Sequence, residues 1–390
     1  MALNKSKGKV EGGPESSRHT EENGGKTLRK MMRVAGGGPI DKSKIQRILV
    51  RGTNWIGDVV MGLPALEAVR ANFPGRTIAV LAKPWVAALY ENHPCVDEVI
   101  PYRKGQSYPG DLLKIIRTAR LLRTKRFDLA ILFQNAFEAA LLAFLAGIKY
   151  RVGYNTDARG FLLSHSVLRD REVLKLHQVE YYLSILRSMG WEATTKDPVV
   201  FVNQRDEEAI GILLATYGVA AEDSLLGLSP GATYGPAKRW PAERFAVIAD
   251  RAVERWGSKV VLIGSEAEKD ICKALGQKLM QPCLDFSGMT TLEQAMALIK
   301  RCRIFLCNDS GLMHVAAALN VPTLAVFGST DAAATGPRGK HARIAREPVE
   351  CSPCLEPECR YGHFRCMLSM DPGKVWNELE SLWRIVYSDS

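Results

Sequence analysis

The stretch "IQRILVRGTNWIGDVVMGLPAL" (residues 45–66) begins with an apolar run and continues through a glycine-containing turn into a helical pattern. A strand, a short turn and a helix in this order are the layout of a nucleotide-binding loop. The stretch lacks both G-x-G-x-x-G and G-x-x-x-x-G-K-[ST], the spacings with which such loops hold phosphate. The turn carries an aspartate, Asp58, so we expect a task other than phosphate binding. The alternative is that Asp58 only caps the helix that it precedes.

Apolar runs rich in Val, Ile and Leu recur along the chain and alternate with helical patterns. The predicted strands lie at residues 45–50, 77–82, 128–133, 225–230, 259–264, 303–309 and 322–328. The predicted helices lie at residues 59–73, 136–147, 177–190, 242–256, 266–279, 291–302 and 311–320. Thr290 and Glu293 have the spacing of a capping box at the helix near residue 291.

Continuous apolar strands that alternate with helices indicate a parallel sheet covered on both faces. Because the alternation occurs twice, we predict an α/β protein with two doubly wound, Rossmann-like domains. The polar stretch 192–208 is the expected boundary between them. Ligands of such sheets bind beyond the carboxyl ends of the strands, so we expect the site in the cleft between the domains.

Length and composition also indicate a globular protein of two domains. The chain has 390 residues, of which 46% are hydrophobic and 24% charged. A membrane span needs about 18 or more apolar residues, and the longest candidate, at 136–148, is shorter and contains Glu138. The N-terminal region has no apolar leader segment, so we expect a cytoplasmic protein.

The net charge of +10 is concentrated in two segments. Residues 1–44 hold ten Lys/Arg and five Asp/Glu in a Gly/Ser-rich context, and we expect this tail to be disordered. Residues 111–127 hold six Lys/Arg, with Leu and Ile at helical spacing. This basic helix either packs on the core with a solvated charged face or docks on an anionic surface, formed by lipid headgroups or a phosphorylated glycolipid.

The stretch "SPGATYGPAKRWPAERF" (229–245) follows a predicted strand and has the features of an anion site. Gly231 and Gly235 keep the loop open, Lys238 and Arg239 supply cations, and Pro241 begins a helix. Exposed amides, a helix amino end and a lysine together favour a diphosphate. The alternative is a surface loop with two solvated cations.

The stretch "CNDSGLMHVAAAL" (307–319) also joins a strand to a helix. Asp309, Ser310 and Gly311 stand at the turn, and Gly311 lets a ligand approach the first helix amides. Alternatively, Asp309 or Ser310 only caps the helix. His314, in the first turn, either donates to a phosphate or packs.

Four motifs occur in a fixed order: "NWIGDVVM" from residue 54, "KRWP" from 238, "NDSGLMH" from 308 and "CSPC" from 351. In combination they resemble the lipopolysaccharide heptosyltransferases of glycosyltransferase family nine, from about residue 46 to the C-terminus. The resemblance implies the GT-B fold, in which two Rossmann-like domains face each other across a cleft. It thus agrees with the two α/β domains predicted from the alternation.

The family moves L-glycero-D-manno-heptose from ADP-heptose to the lipopolysaccharide inner core, with inversion and without a metal or other cofactor. The resemblance implies that Asp58 is the general base and that Lys238 stabilises the departing ADP. It places the ribose at Glu266 and the adenine at Met289 and Thr290. The other donor-binding positions that it implies are Thr233, Asp309, Ser310, Gly311, Leu312, Met313 and His314. The implied acceptor-binding positions are Asn54, Trp55 and Gly57.

The resemblance also implies that the two domains have different binding functions. Residues 45–203 form the acceptor-binding domain, residues 204–370 form the ADP-heptose-binding domain, and a terminal helix within 371–390 crosses back onto the first domain. The implied partners are ADP-L-glycero-β-D-manno-heptose and a lipid A–Kdo–heptose acceptor at the inner membrane, reached by peripheral contact.

Three other functions remain open from the sequence. They are the earlier family reaction, which transfers heptose to Kdo, a GT-B enzyme with another nucleotide-sugar, and a non-catalytic binder of nucleotides or polyanions. Nucleic acid is not an expected partner, because half of the excess charge lies in the tail and no basic groove carries interleaved aromatics.

Nine cysteines in a cytoplasmic chain are expected to be reduced thiols. Cys351, Cys354, Cys359 and Cys366 cluster near His363, and a C-x₂-C pair with further thiols is able to hold zinc. The later spacings do not repeat C-x₂-C. Structural zinc, packed thiols and redox behaviour therefore all stay open.

Overall fold

The computed structural model describes residues 34–103 and 110–387, which form two sheets flanked by helices. The strands are β1 (Val34–Ala35), β2 (Arg47–Arg51), β3 (Thr77–Ala82), β4 (Glu98–Pro101), β5 (Leu129–Leu132), β6 (Tyr150–Tyr154), β7 (His165–Val167), β8 (Leu225–Ser229), β9 (Lys259–Leu262), β10 (Cys283–Asp285), β11 (Ile304–Asn308), β12 (Thr323–Phe327) and β13 (Ala342–Arg346). The helices are α1 (Ile56–Asn72), α2 (Ala88–Glu91), α3 (Gly110–Thr124), α4 (Phe137–Leu145), α5 (Arg171–Leu174), α6 (Gln178–Ser188), α7 (Gln204–Thr216), α8 (Ala242–Trp256), α9 (Lys269–Gly276), α10 (Leu292–Arg301), α11 (Gly311–Ala318), α12 (Ala332–Thr335), α13 (Arg365–Leu368) and α14 (Pro372–Tyr387).

Both sheets are built mainly from parallel strands. The first has the order β1-β7-β6-β5-β2-β3-β4, in which only β1 runs antiparallel to its neighbour, and the second has the order β10-β9-β8-β11-β12-β13. The central strands are fully buried because helices cover both faces. The predicted α/β architecture with two parallel sheets is therefore confirmed.

Each of the seven predicted strands is present, but six further strands were not predicted. The missed strands are β1, β4, β6, β7, β10 and β13. They are short or mix polar with apolar residues, as in "ARIAR" of β13. Their apolar signal is too weak to stand out from the sequence alone.

Several predicted helix starts need small corrections: α1 begins at Ile56 and not at residue 59, and α9 begins at Lys269 and not at residue 266. Two further signals differ by one residue. The capping box at α10 is formed by Thr291 and Gln294, one residue later than the predicted pair Thr290 and Glu293. Pro241 is the residue before α8, which begins at Ala242. In both cases the helical pattern was correct and the boundary was off by one residue.

The first strand-turn-helix unit shows that Asp58 is not a helix cap. The capping position of α1 belongs to Trp55, whose side chain makes no capping hydrogen bond, and Asp58 lies within the first turn. The alternative function considered for Asp58 is therefore wrong.

The segment from residue 34 to residue 44 is ordered and belongs to the first domain. Val34 pairs with Val167, and Ala35 pairs with Ser166. Lys42 Nζ donates a hydrogen bond of 2.6 Å to Asn72 Oδ1. The expectation of a disordered tail is thus wrong for this segment, and residues 1–33 lie outside the described part of the chain.

The basic helix α3 contributes to the core through one face only. Ala119 and Leu122 are buried in the first domain, whereas Leu112, Leu113 and Leu121 are exposed. Core packing thus accounts for part of the apolar pattern of this helix. Among the helices of the described residues, none combines the length and hydropathy needed to span a membrane.

The terminal helix α14 packs on the second domain, so the prediction that it crosses back to the first is wrong. Val375, Leu379 and Leu382 are buried against residues of α8 and the second sheet. Trp256 of α8 stacks on two indoles of α14, with ring centroids 4.9 Å from Trp376 and 4.3 Å from Trp383. The apolar face of α14 is therefore complementary to α8.

Direct contacts also join the two domains. Arg338 Nη1 lies 3.4 Å from Glu180 Oε1, and His177 Nε2 lies 2.9 Å from Gly336 O. Buried side chains of α1 and α11 belong to one continuous apolar cluster. These contacts bring the carboxyl edges of the two sheets close to each other.

We predict that Leu379→Ala lowers the free energy of unfolding by about 2–5 kcal/mol, because it leaves a cavity between α14 and the second domain. The exposed neighbour Asn377 provides the control, and Asn377→Ala should change stability by less than about 0.5 kcal/mol. Urea denaturation followed by tryptophan fluorescence measures both. Equal effects of the two substitutions would show that α14 does not pack as described.

Candidate active site

Asp58 of the first domain lies opposite Lys238 of the second. The Asp58 carboxylate is half-buried, and Tyr182 Oη donates a hydrogen bond of 3.4 Å to its Oδ1. Burial raises the pKa of Asp58 above the usual carboxyl range, while the Tyr182 hydrogen bond and the charge of Lys238 oppose the rise. A carboxylate with a raised pKa is a better proton acceptor.

Lys238 and Asp309 form a largely buried ion pair. Lys238 Nζ lies 2.6 Å from Asp309 Oδ2 and 4.9 Å from the ring centroid of Tyr234. Thr330 Oγ1 donates a second hydrogen bond to the same carboxylate oxygen. The pair therefore holds a cation close to Asp58 in a fixed orientation.

The amino end of α11 has no side-chain cap. Ser310 occupies the capping position, but it makes no capping bond, and its buried Oγ has no hydrogen-bond partner within the described residues. Asp309 is paired with Lys238 instead. The capping function considered for these residues is thus wrong, and the amide groups of this helix end are not satisfied by a side chain.

The other predicted residues of this helix differ in their exposure. Leu312 is half-buried, whereas Met313 is fully buried in the core. The side chain of Met313 therefore packs in the core, and its predicted place at the donor site stays a prediction.

The amino ends of α1 and α11 approach each other closely. A Cβ atom added to Gly57 would lie 2.8 Å from His314 Cδ2, and one added to Gly311 would lie 2.8 Å from Ile56 Cβ. Burial lowers the pKa of His314 to about 4, so its imidazole is neutral at pH 7. Gly57 and Gly311 thus permit close packing between the two domains. This requirement for glycine is separate from the ligand approach predicted at these positions.

The remaining predicted donor-binding residues follow neighbouring strands of the second sheet. Thr233 follows β8, Glu266 follows β9, and Met289 and Thr290 follow β10. Thr233 and Met289 are exposed, and Glu266 pairs with Lys269 at 2.7 Å. A Cβ added to Gly288 would lie 2.4 Å from Glu266 Oε2, so the loops after β9 and β10 are adjacent.

Asn54 and Trp55 lie at the carboxyl edge of the first sheet. Arg51 Nη2 donates to Asn54 Oδ1 at 3.2 Å, and Trp85 Nε1 donates to Asn54 O at 2.8 Å. The Trp55 side chain is exposed. These contacts orient the turn that carries Asp58.

Sequence reasoning missed several residues of the site. Thr330 follows β12 in "FGST" (327–330), and its position after a strand was a usable signal. Arg51 and Lys83 also end or follow strands, and both cations lie over the Tyr102 ring, at 5.4 and 4.5 Å from its centroid. Tyr182 lies within α6, where nothing in the pattern distinguishes it from a core tyrosine.

The cysteine cluster does not have the arrangement of a zinc site. Cys351 Sγ and Cys359 Sγ lie 4.0 and 3.9 Å from the two ring nitrogens of His363. Within residues 34–103 and 110–387, no three His, Cys, Asp or Glu side chains are grouped so as to hold a metal ion. All nine cysteines are free.

Comparisons with known proteins agree with this architecture. The sequence profile of glycosyltransferase family 9 (heptosyltransferase) matches residues 115–365. The chain is 34% identical to lipopolysaccharide heptosyltransferase 2 of Salmonella typhimurium, over 86% of this chain and 98% of that protein. It is 33% identical to lipopolysaccharide heptosyltransferase 2 of Escherichia coli K12, over the same shares of the two chains.

A solved structure gives the same result for the fold. The E. coli ADP-heptose lipopolysaccharide heptosyltransferase II structure aligns with a TM-score of 0.76 and 29% identity, covering 88% of this chain and 100% of that one. The two facing Rossmann-like domains of the predicted GT-B fold are therefore confirmed. From the profile match, the identity and the shared fold, the chain belongs to glycosyltransferase family 9, the heptosyltransferase family.

Proposed function

We propose that this protein transfers L-glycero-D-manno-heptose from ADP-heptose to a heptose of the lipopolysaccharide inner core. The similarity to heptosyltransferase 2 proteins over 86% of the chain supports this donor and acceptor. The observation that carries the chemistry is the placement of Asp58 and Lys238, which come from different domains and interact electrostatically. The Asp58 carboxylate is suited to accept a proton, and the Lys238 ammonium group is suited to stabilise an anionic leaving group.

In the proposed reaction the acceptor lies on the first domain and the donor on the second. The acceptor hydroxyl oxygen attacks the anomeric carbon of the heptose while its proton passes to the Asp58 carboxylate. The bond from the anomeric carbon to the diphosphate oxygen breaks, and ADP leaves with the electron pair. A single displacement of this kind inverts the anomeric centre.

The negative charge that develops on ADP needs stabilisation by the second domain. Lys238 supplies a cation held by Asp309, and the uncapped amino end of α11 supplies amide donors and a positive dipole end. These groups perform the function that a metal ion has in other transferases. The reaction as proposed is therefore independent of a metal.

Transfer from purified ADP-heptose to defined inner-core acceptors tests the proposed function. The expected product forms on an acceptor that carries one heptose and not on an acceptor that carries none. Product on the acceptor without heptose would assign the earlier family reaction, in which Kdo is the acceptor. No product on either acceptor would contradict heptose transfer.

We predict that Asp58→Asn lowers the transfer rate by about 10²- to 10⁴-fold, because an amide does not accept the hydroxyl proton. Tyr182 Oη is still able to donate to the amide oxygen, so the fold should be retained. The measurement is single-turnover transfer with ADP-heptose. Asp157→Asn is the matched control, since Asp157 is exposed and asparagine tolerates its φ of 49°. Normal turnover of the Asp58 variant would exclude it as the base.

We predict that Tyr182→Phe moves the acidic limb of the pH–rate profile to higher pH. The hydrogen bond from Tyr182 lowers the pKa of Asp58, so its loss raises that pKa further and protonates the base at a higher pH. Tyr181→Phe is the control, because Tyr181 is buried in the same helix but bonds to Asn135. An unchanged acidic limb in the Tyr182 variant would show that this bond does not tune Asp58.

We predict that Lys238→Gln abolishes most of the thermal stabilisation given by ADP, because the diphosphate loses its buried cation. ADP at about a hundredfold excess over its Kd should stabilise the wild type by about 2.7 kcal/mol, and UDP should stabilise it less. Lys278→Gln removes an exposed ion pair with Glu243 and should respond to ADP like the wild type. A full ADP response in the Lys238 variant would place the diphosphate elsewhere.

A further inference from the structure

The cysteine cluster, which consists of Cys351, Cys354, Cys359 and Cys366 with His363, has no part in the proposed reaction. All four thiols are free, and the other three act electrostatically on Cys366, so the four sulfurs lie near one another. Cys366 is buried, whereas the other three thiols are half-buried. Grouped thiols that solvent reaches are the kind that oxidants convert to disulfides.

Cys359 has the surroundings of a reactive thiol. Phe364 N donates a hydrogen bond of 3.4 Å to its Sγ. Burial by itself would raise the pKa of Cys359, but hydrogen bonds from the backbone N–H groups of residues 361–364 outweigh it and hold that pKa below the usual thiol range. The pKa of Cys366, by contrast, is raised by burial and by the neighbouring thiols. Cys359 therefore holds more thiolate at neutral pH than an ordinary cysteine does, and it is the nucleophile of the cluster.

Cys351 is the thiol placed to react with an oxidised Cys359. Their sulfurs lie beside the two nitrogens of one imidazole, since Cys351 Sγ is 4.0 Å from His363 Nε2 and Cys359 Sγ is 3.9 Å from His363 Nδ1. Arg365 N donates a hydrogen bond of 3.1 Å to Nδ1, so the neutral imidazole carries its proton on Nε2. That proton lies on the side of Cys351, where it stabilises a thiolate.

The chain between these two cysteines is bonded to the loop that carries Lys238. Tyr234 Oη donates a hydrogen bond of 2.6 Å to Leu355 O, and Ala237 N donates one of 3.0 Å to Pro357 O. The ring of the same tyrosine lies 4.9 Å from Lys238 Nζ. The position of this cation therefore depends on the backbone between the cysteines.

Leu355 also contacts the loop that supports Asp309. Leu355 N donates a hydrogen bond of 2.8 Å to Ser329 O, and the next residue, Thr330, donates to the Asp309 carboxylate. Leu355 has a φ of 60°, a left-handed backbone conformation that such a side chain rarely adopts. Its two peptide groups thus connect both partners of the buried ion pair to the cysteine cluster.

We propose that hydrogen peroxide joins Cys359 and Cys351 in a disulfide and that this oxidation weakens donor binding at Lys238. The Cys359 thiolate attacks one peroxide oxygen, the O–O bond breaks, and the leaving hydroxide takes up a proton to become water. The sulfur of Cys351 then attacks Cys359 Sγ of the resulting sulfenic acid, the S–O bond breaks, and a second water leaves. Two thiols together lose two electrons, and one peroxide is reduced to two waters.

Formation of the disulfide changes the backbone that supports Lys238. A sulfur–sulfur bond is about 2.05 Å long, so both sulfurs must leave their separate positions beside His363. The chain between them moves as well, and with it the carbonyl groups of Leu355 and Pro357 that hold the Lys238 loop. The inference rests on the proposed function, because the diphosphate of the donor is the ligand assigned to Lys238.

Disulfide mapping and ADP titration of the full-length protein test the proposal. The reduced protein is treated with hydrogen peroxide, the remaining thiols are alkylated, and linked peptides are identified by mass spectrometry. We expect a link between Cys351 and Cys359. Calorimetry should show ADP binding at least about tenfold weaker after oxidation, the usual consequence of disturbing one hydrogen bond to a charged group. Dithiothreitol should restore the original affinity.

Three serine variants identify the function of each thiol. Cys351→Ser should stop the reaction at the sulfenic acid of Cys359, which dimedone labels, and should keep its ADP affinity after peroxide. Cys359→Ser should show neither the label nor the link. Cys283→Ser is the matched control, because Cys283 is half-buried in the same domain and burial raises its pKa. This control should form the link as the wild type does.

The possible results separate this proposal from the proposed function. No disulfide, a disulfide between other cysteines, or an unchanged ADP affinity in the linked protein overturns the redox proposal. A reduced wild type that does not bind ADP would contradict the proposed function instead, and the disulfide map would then decide the oxidation chemistry by itself.

Discussion

The close approach of the amino ends of α1 and α11 is the constraint on which the arrangement of the site depends. Neither Gly57 nor Gly311 has room for a β-carbon, since each such atom would lie 2.8 Å from the opposite helix. Real Cβ atoms do not pack at that distance, so a larger residue at either position would force the neighbouring side chain of the other domain to shift. The two helix ends thereby fix the separation between Asp58 on one domain and Lys238 on the other.

This packing also determines the electrostatics of the site. Two helix amino ends point toward one region, and each contributes partial positive charge there. The nearby His314 is buried and neutral, so it adds no further charge at pH 7. The cationic character of the site therefore comes from Lys238 and the helix ends, and Asp309 balances Lys238 until an anionic ligand arrives.

The sequence was sufficient for the architecture because buried parallel strands are continuous apolar runs. "TIAVLA" was predicted as a strand at the residues where β3 lies, and "AERFAVIADRAVERW" was predicted as a helix at the residues of α8. Short strands such as β7, which has only three residues, carry too little pattern to be recognised. The prediction for the packing of α14 was wrong because an amphipathic pattern shows that a helix has a buried face but not which domain covers that face.

The residues of the candidate site were predictable where they directly follow a strand in the sequence and not elsewhere. Asp58, Lys238 and Asp309 stand in turns or early helix positions after strands, so their sequence positions indicated the cleft. Tyr182 reaches Asp58 from the middle of α6, across 124 residues of chain. Only the tertiary contact distinguishes it from the tyrosine beside it.

The position of α14 on the second domain has a consequence for the connectivity of the molecule. Since the terminal helix does not return to the first domain, the described chain passes between the domains once, in the segment between α6 and α7. One covalent connection restricts the rotation of the domains relative to each other less than two connections would. The alignment of the two domains therefore depends on the noncovalent contacts between them, such as Arg338 with Glu180 and His177 with Gly336.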